Sequence, residues 1–102
     1  MPRIGIRLSE SAMADLAGIR ARYTGPGVPD IGERLLVEIL ERVEGLRTHP
    51  EKSRIVPEFD QSVLRELIHP PFRIVCRLAK SRLQVVRVWR SERRLRSRDV
   101  AD

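Results

Sequence analysis

Apolar residues recur at every second position from Arg3 to Leu8, with Ile4, Ile6 and Leu8 on one side and Arg3, Gly5 and Arg7 on the other. That period predicts a half-buried strand. The spacing then lengthens. Ser9 stands where a helix cap belongs, and Ala12, Leu16, Ile19 and Tyr23 follow at helical intervals. This helix is expected to stop at Thr24-Gly25-Pro26-Gly27, which cannot continue it. A second helix opens at Pro29-Asp30, where Asp30 and Glu33 have capping-box spacing. Leu35, Leu36, Ile39, Leu40, Val43 and Leu46 make its apolar stripe, and Glu33, Arg34, Glu38, Glu41 and Arg42 its outer face. It is expected to end before His49-Pro50, because the residue preceding a proline avoids the helical region.

The second half returns to alternation. Val63 to Ile68 reads as a short strand. Phe72 to Leu78 reads as another, with Phe72, Ile74, Cys76 and Leu78 on one face and Arg73, Val75 and Arg77 on the other. Lys80-Ser81-Arg82 supplies a hairpin turn, and Leu83 to Trp89 the returning strand. The predicted order is β-α-α-β-β-β, an α+β domain in which a helical hairpin packs on one face of a small, mostly antiparallel sheet. Leu16, Ile19, Leu36, Ile39, Leu40, Val43, Ile74, Cys76, Val86 and Val88 are expected to be buried. Residues 1–102 read as one domain, with a basic tail from about residue 90 that frays or forms a short helix.

Composition sharpens this picture in two ways. Aromatics are only 4% of the 102 residues while hydrophobics are 41%, so the core must be aliphatic. The charge is basic, with 20 Lys+Arg against 14 Asp+Glu, and of the 20 only Lys52 and Lys80 are lysines. Arginine suits bidentate contact with carboxylate and phosphate. A net charge of +6 and a pI near 10.9 point to an acidic partner, either nucleic acid or protein. Residues 87–98 hold six arginines and one glutamate, the densest charge in the chain. A solvated edge strand and tail would also carry such charge.

Much chemistry is excluded. No Gly-rich phosphate loop is present, and one cysteine with two histidines, His49 and His69, cannot make a zinc site of usual spacing, so neither metal nor cofactor is expected. Cys76 alternates with apolar residues and reads as a buried thiol. A single cysteine allows no intrachain disulfide, and no signal peptide or membrane span is visible, so a soluble cytoplasmic protein without membrane contact is expected.

Several short motifs then narrow the fold. Ser11-Ala12-Met13-Ala14-Asp15-Leu16-Ala17-Gly18-Ile19 resembles the A-x-x-D-L-x-x-I first helix of bacterial RelE/ParE toxins. Leu46-Arg47-Thr48-His49-Pro50 resembles the L-x-x-x-P that closes their second helix. Val56-Pro57-Glu58 and Leu64-Arg65-Glu66-Leu67 are similar to their V-P-E and V-R-E-L stretches. Phe72-Arg73-Ile74-Val75-Cys76-Arg77 resembles Y-R-I-V-Y-R, with Phe and Cys for the tyrosines. Val86-Arg87-Val88-Trp89-Arg90, followed by Arg93 and Arg94, resembles the last strand and its V-x-H-x-x-R ending. Together these span about residues 3 to 95.

The resemblance implies the toxin of a type II toxin–antitoxin pair, nearer ParE than RelE. ParE-type members inhibit DNA gyrase, whereas RelE-type members cut mRNA on the ribosome. Glu66 lies where RelE-type members carry lysines, Arg90 replaces a histidine, and the last fifteen residues contain no tyrosine. A guanidinium is a poor general base. The reading is therefore a non-catalytic gyrase inhibitor, whose target- or antitoxin-binding residues would be Arg73, Arg77, Arg87, Trp89, Arg90, Arg93 and Arg94. The alternative is an endoribonuclease using Arg65, Arg73, Arg90 and Arg93 on phosphate, with His69 as its one candidate for proton transfer. A degenerate, non-toxic binding module is a further alternative. By analogy, the partner would be an antitoxin whose acidic and apolar C-terminal segment folds on the basic sheet face, where Arg77 and Arg87 would meet its carboxylates.

Overall fold

Ser9 begins the first helix in the way its position predicts: its backbone is extended, and its Oγ accepts the Ala12 N–H at 3.0 Å. In the computed structural model, which describes residues 4–91 and 93–100, strand β1 covers Gly5–Leu8, helix α1 Glu10–Thr24 and helix α2 Pro29–Gly45. Arg3 of the expected first strand lies outside the described residues. The α1–α2 turn depends on Gly27, whose φ of 83° is left-handed. Farther along, the helices approach so closely that a Cβ at Gly32 would stand 2.9 Å from the Cβ of Tyr23.

A single 3₁₀ turn at Pro50–Lys52 leads to β2, Arg54–Ile55, which is too short for any period to announce. Strand β3 is Leu64–His69, β4 Phe72–Leu78 and β5 Arg82–Arg90, and a short helix α3 covers Ser97–Val100. The sheet order is β1-β5-β4-β3-β2; β1 runs parallel to β5 and the other pairs are antiparallel. Val63, expected to open the Val63–Ile68 strand, precedes β3 and is exposed, while its carbonyl accepts the Leu78 N–H at 2.7 Å.

Both helices lie on one face of the sheet. Ala12, Ile19, Leu36, Ile39, Val43 and Leu46 pack there against Leu67, Phe72, Ile74, Cys76, Leu83, Val85 and Val88. Leu40 departs from expectation and is 43% exposed. The α2 residues that meet the sheet follow the i, i+3, i+7 row from Leu36, and Leu40 is turned away from that row toward α1. The Asp30/Glu33 box does not form either. Pro29 starts α2 behind Val28, which offers no side-chain cap, and Glu33 instead bonds Arg20 of α1 at 2.7 Å.

Strict alternation along Leu83–Trp89 would place Arg87 in the helix-facing core. A bulge prevents this: Cys76 pairs with Val85 and Val75 with Arg87, leaving Val86 as the extra residue. Val85 and Val88 therefore face the helices, and Val86 and Trp89 face the other way. On that second face a smaller core gathers Val56, Leu64, Val75, Val86 and Trp89. It is closed by Leu95 and Val100, two apolar residues from the tail expected to be basic. The tail thus forms the expected short helix, but pinned to the sheet rather than frayed.

Candidate functional site

The arginines of the second sheet face divide into those held inside the molecule and those left at its surface. Arg73 is held. Its guanidinium bonds Glu58 at 2.7 and 2.9 Å and Glu66 at 2.6 and 2.9 Å, and donates to the Arg93 carbonyl at 3.0 Å. Its side chain is 6% exposed and that of Glu66 0%. Arg54 from β2 supplies Glu66 with a second guanidinium at 2.7 Å. The carboxylate that stands where RelE-type members carry lysines is thus buried and neutralised.

Glu58 also accepts the Leu95 N–H at 3.1 Å, which ties the tail to the same cluster. The Arg73 hydrogen bonds pull the Glu58 carboxyl down to about 2 from an ordinary value of 4.5, against the opposing effect of its partial burial, and they raise Arg73 above its usual range. A depressed carboxyl stabilises the fold at pH above its unfolded value, and that stabilisation disappears as pH falls through the folded value. Stability should therefore fall between about pH 4.5 and pH 2, and Glu58→Gln should flatten that slope in urea melts taken across the window. An unchanged slope in the variant would remove Glu58 from the acid response.

Arg77 donates to the Val100 carbonyl at 2.6 Å and so anchors α3. Arg87 is bidentate to Asp15 of α1, both contacts at 2.8 Å, and the same carboxylate accepts the Val88 N–H at 2.9 Å. This satisfies the edge of β5, because pairing with β1 ends at Leu8–Val85. Ser9 extends the same seal, its Oγ donating to the Val86 carbonyl at 3.0 Å. Arg65 donates to the carbonyls of Ser62 and Ser53. Trp89 is buried, with Arg87 at 4.4 Å and Arg93 at 3.6 Å over its ring. Of the expected binding residues, Arg90, Arg93 and Arg94 reach the surface.

Of the four arginines of the nuclease alternative, Arg93 lines one depression with Arg90 and another with Arg73, while Arg65 lies apart. Register places Arg65 opposite Cys76 and Arg90 opposite Phe72, both on the helix-facing side, whereas Arg73 is opposite Ile68 and Trp89 on the other side, beneath Arg93. His69 is opposite Phe72 as well; its Nε2 lies 3.0 Å from Glu38 and its Nδ1 3.4 Å from Arg42, both on α2. Cys76 is fully buried, and burial pushes its thiol up to about 12.

Sequence reasoning missed a second surface. Leu8, Met13, Leu16, Ala17, Leu36 and Leu40 line a groove along the helical hairpin, with Arg20 at its rim. Met13 is 57% exposed, and Val37 and Leu40 are also among the exposed large hydrophobics. A stripe wider than the sheet can cover would have been the signal. On α2, Val37 and Leu40 extend the apolar run beyond one face.

Comparison with known proteins follows this geometry closely. The family described as "ParE toxin of type II toxin-antitoxin system, parDE" matches residues 6–95. No curated protein matches the chain in sequence. Among solved structures, the chain is similar to one described as a chromosomal ParDE toxin–antitoxin system from P. aeruginosa, with a TM-score of 0.74 and 22% identity over 90% of this chain and 100% of that one. It is also similar to one from the RelBE2 toxin–antitoxin complex of Mycobacterium tuberculosis, with a TM-score of 0.64 and 14% identity over 86% and 98% of the two chains.

Proposed function

Because the chain belongs to the ParE toxin family of type II toxin–antitoxin systems, we propose that it inhibits DNA gyrase by protein–protein contact, without cutting RNA, and that a cognate antitoxin neutralises it. The observation that carries the non-catalytic reading is that the depressions where Arg73, Arg90 and Arg93 meet are lined, among the described residues, by no histidine or tyrosine, while Arg65 lies apart, opposite Cys76. Ribonucleolysis needs a base for the 2′-hydroxyl, a cation for the phosphorane and an acid for the leaving oxygen, all around one phosphate. Here the most buried of these arginines is saturated by two carboxylates, and the nearest histidine faces α2.

The antitoxin reading rests on the apolar groove of the helical hairpin rather than on the arginine face. Arg77 and Arg87, the expected partners of antitoxin carboxylates, are engaged within the chain, whereas Met13, Val37 and Leu40 stand in water. An apolar segment that folds on binding would cover them.

Purified protein should block supercoiling by gyrase and leave ribosome-bound mRNA intact. Met13→Asp with Leu40→Asp should weaken antitoxin binding by at least about tenfold, because apolar anchors carry most of such an interface. The same variant should still inhibit gyrase. Codon-positioned mRNA cleavage would transfer the chain to the nuclease reading, and undiminished antitoxin binding would move the antitoxin off the hairpin.

A further inference from the structure

The arginine-rich segment 87–98 is only partly absorbed by the contacts described above. Arg87 is taken by Asp15, but Arg93, Arg94, Arg96 and Arg98 are exposed, and none has a carboxylate partner among the described residues. Three adjoining depressions meet at Arg93. The first is lined by Arg22 and Arg90, the second by Arg54 and Arg94, and the third by Arg94, Arg96 and Arg98. They form one track of guanidinium groups around the end of β5 and along the tail. Among the described residues, the carboxylates that reach the track are occupied. Glu58 holds Arg73 and the Leu95 N–H, Asp15 holds Arg87, and Asp99 accepts the Arg96 N–H at 2.8 Å.

We propose that this track binds the phosphate backbone of duplex DNA. Three observations favour that ligand. The track is preorganised: Arg93 is stacked on Trp89, its carbonyl is held by Arg73, and Leu95 and Val100 are buried on either side of Arg96 and Arg98. It lacks the apolar centre of a protein interface, since none of the exposed large hydrophobics (Leu8, Met13, Val28, Ile31, Val37, Leu40, Ile55, Val63) lines it. It also lacks the stacking platform that single strands require. Trp89 is 6% exposed and lies under two guanidinium groups, and Phe72, the other aromatic at the track, is 2% exposed. What remains is cationic contact with phosphates spaced along a regular duplex. This binding is independent of gyrase inhibition and of the antitoxin groove, which occupies the helical hairpin.

The test uses the purified full chain and a fluorescein-labelled duplex of about 20 base pairs and arbitrary sequence, followed by anisotropy across a salt series. Each phosphate contact contributes about −0.9 to the slope of log K against log salt, so contacts by Arg93, Arg94, Arg96 and Arg98 should give about −3 to −4. Arg94→Ala with Arg96→Ala and Arg98→Ala should reduce that slope by about 2 to 3 and weaken binding at low salt at least about tenfold. These side chains are exposed, and an unchanged melting temperature would show that the variant folds. The control removes equal charge elsewhere, through Arg34→Ala with Lys80→Ala and Arg82→Ala, and should keep most of the affinity and slope. Equal losses in the two triple variants would mean diffuse attraction to a basic protein and would overturn the site. Tighter binding of single-stranded RNA of the same length would overturn the choice of duplex, and an absence of duplex binding at low salt would overturn the proposal outright.

Discussion

Arg73→Ala is expected to destabilise the protein by about 3–5 kcal/mol, the cost of leaving buried charge without its counterion. Glu66, fully buried beside it, would keep only the exposed Arg54, and Glu58 would lose both of its short contacts. The tail would loosen too, since the Arg93 carbonyl is held by Arg73 and the Leu95 N–H by Glu58. Urea denaturation of the wild type and the variant measures the effect. A companion variant, Arg73→Met with Glu66→Leu, should recover part of the loss, because an apolar pair of similar volume needs no neutralisation. A loss below about 1 kcal/mol for Arg73→Ala would mean that water reaches the cluster and screens it. A binding assay on Arg73 variants would accordingly report folding as much as recognition.

Ile74→Ala should cost about 2–5 kcal/mol, whereas Leu40→Ala should cost far less, within about 1 kcal/mol. Ile74 is completely buried at the middle of β4, between the neighbouring strands and beneath the helices, so truncation leaves a cavity that the sheet cannot collapse to fill. Leu40 is 43% exposed, and water already occupies much of the space around it. Paired denaturation curves give both values. Equal losses would show that Leu40 is packed as tightly as its place in the apolar stripe suggests.

That contrast marks where the sequence was legible. Period identified both long helices and the β3-β4-β5 meander, because each has enough residues for its repeat to be read, and capping held for α1 alone. Periodicity makes Leu36, Leu40 and Ile74 equivalent, and only the docking angle of α2 on the sheet distinguishes them. The bulge at Val86 was invisible for the opposite reason: one inserted residue shifts the faces without changing composition. Strand β2 and the buried Leu95 and Val100 were hidden because two residues, or single apolar positions among charges, form no pattern. The arginines were legible as a cluster, but not their partners. Asp15 lies 72 residues from Arg87 in the chain, and Glu58 lies 15 from Arg73. Such pairings exist only after the sheet has formed.

The seal between Ser9 and Val86 joins residues 77 positions apart, and the parallel β1–β5 pairing beside it spans the same distance. The β4–β5 hairpin closes over only a few residues, from Leu78 to Leu83. Closing the longer loop is about four doublings of length more demanding, or about 2–3 kcal/mol of chain entropy. That ordering entropy is met before any β1 contact forms, so the helical hairpin and the meander are expected to assemble first and β1 last. Until it does, β5 presents both the unpaired backbone of its first half and the edge that Ser9 and Asp15 later close. Ile6→Ala should therefore chiefly speed unfolding and leave refolding nearly unchanged, as stopped-flow measurements of both rates would show, the N-terminal strand serving as a late clasp on the native state.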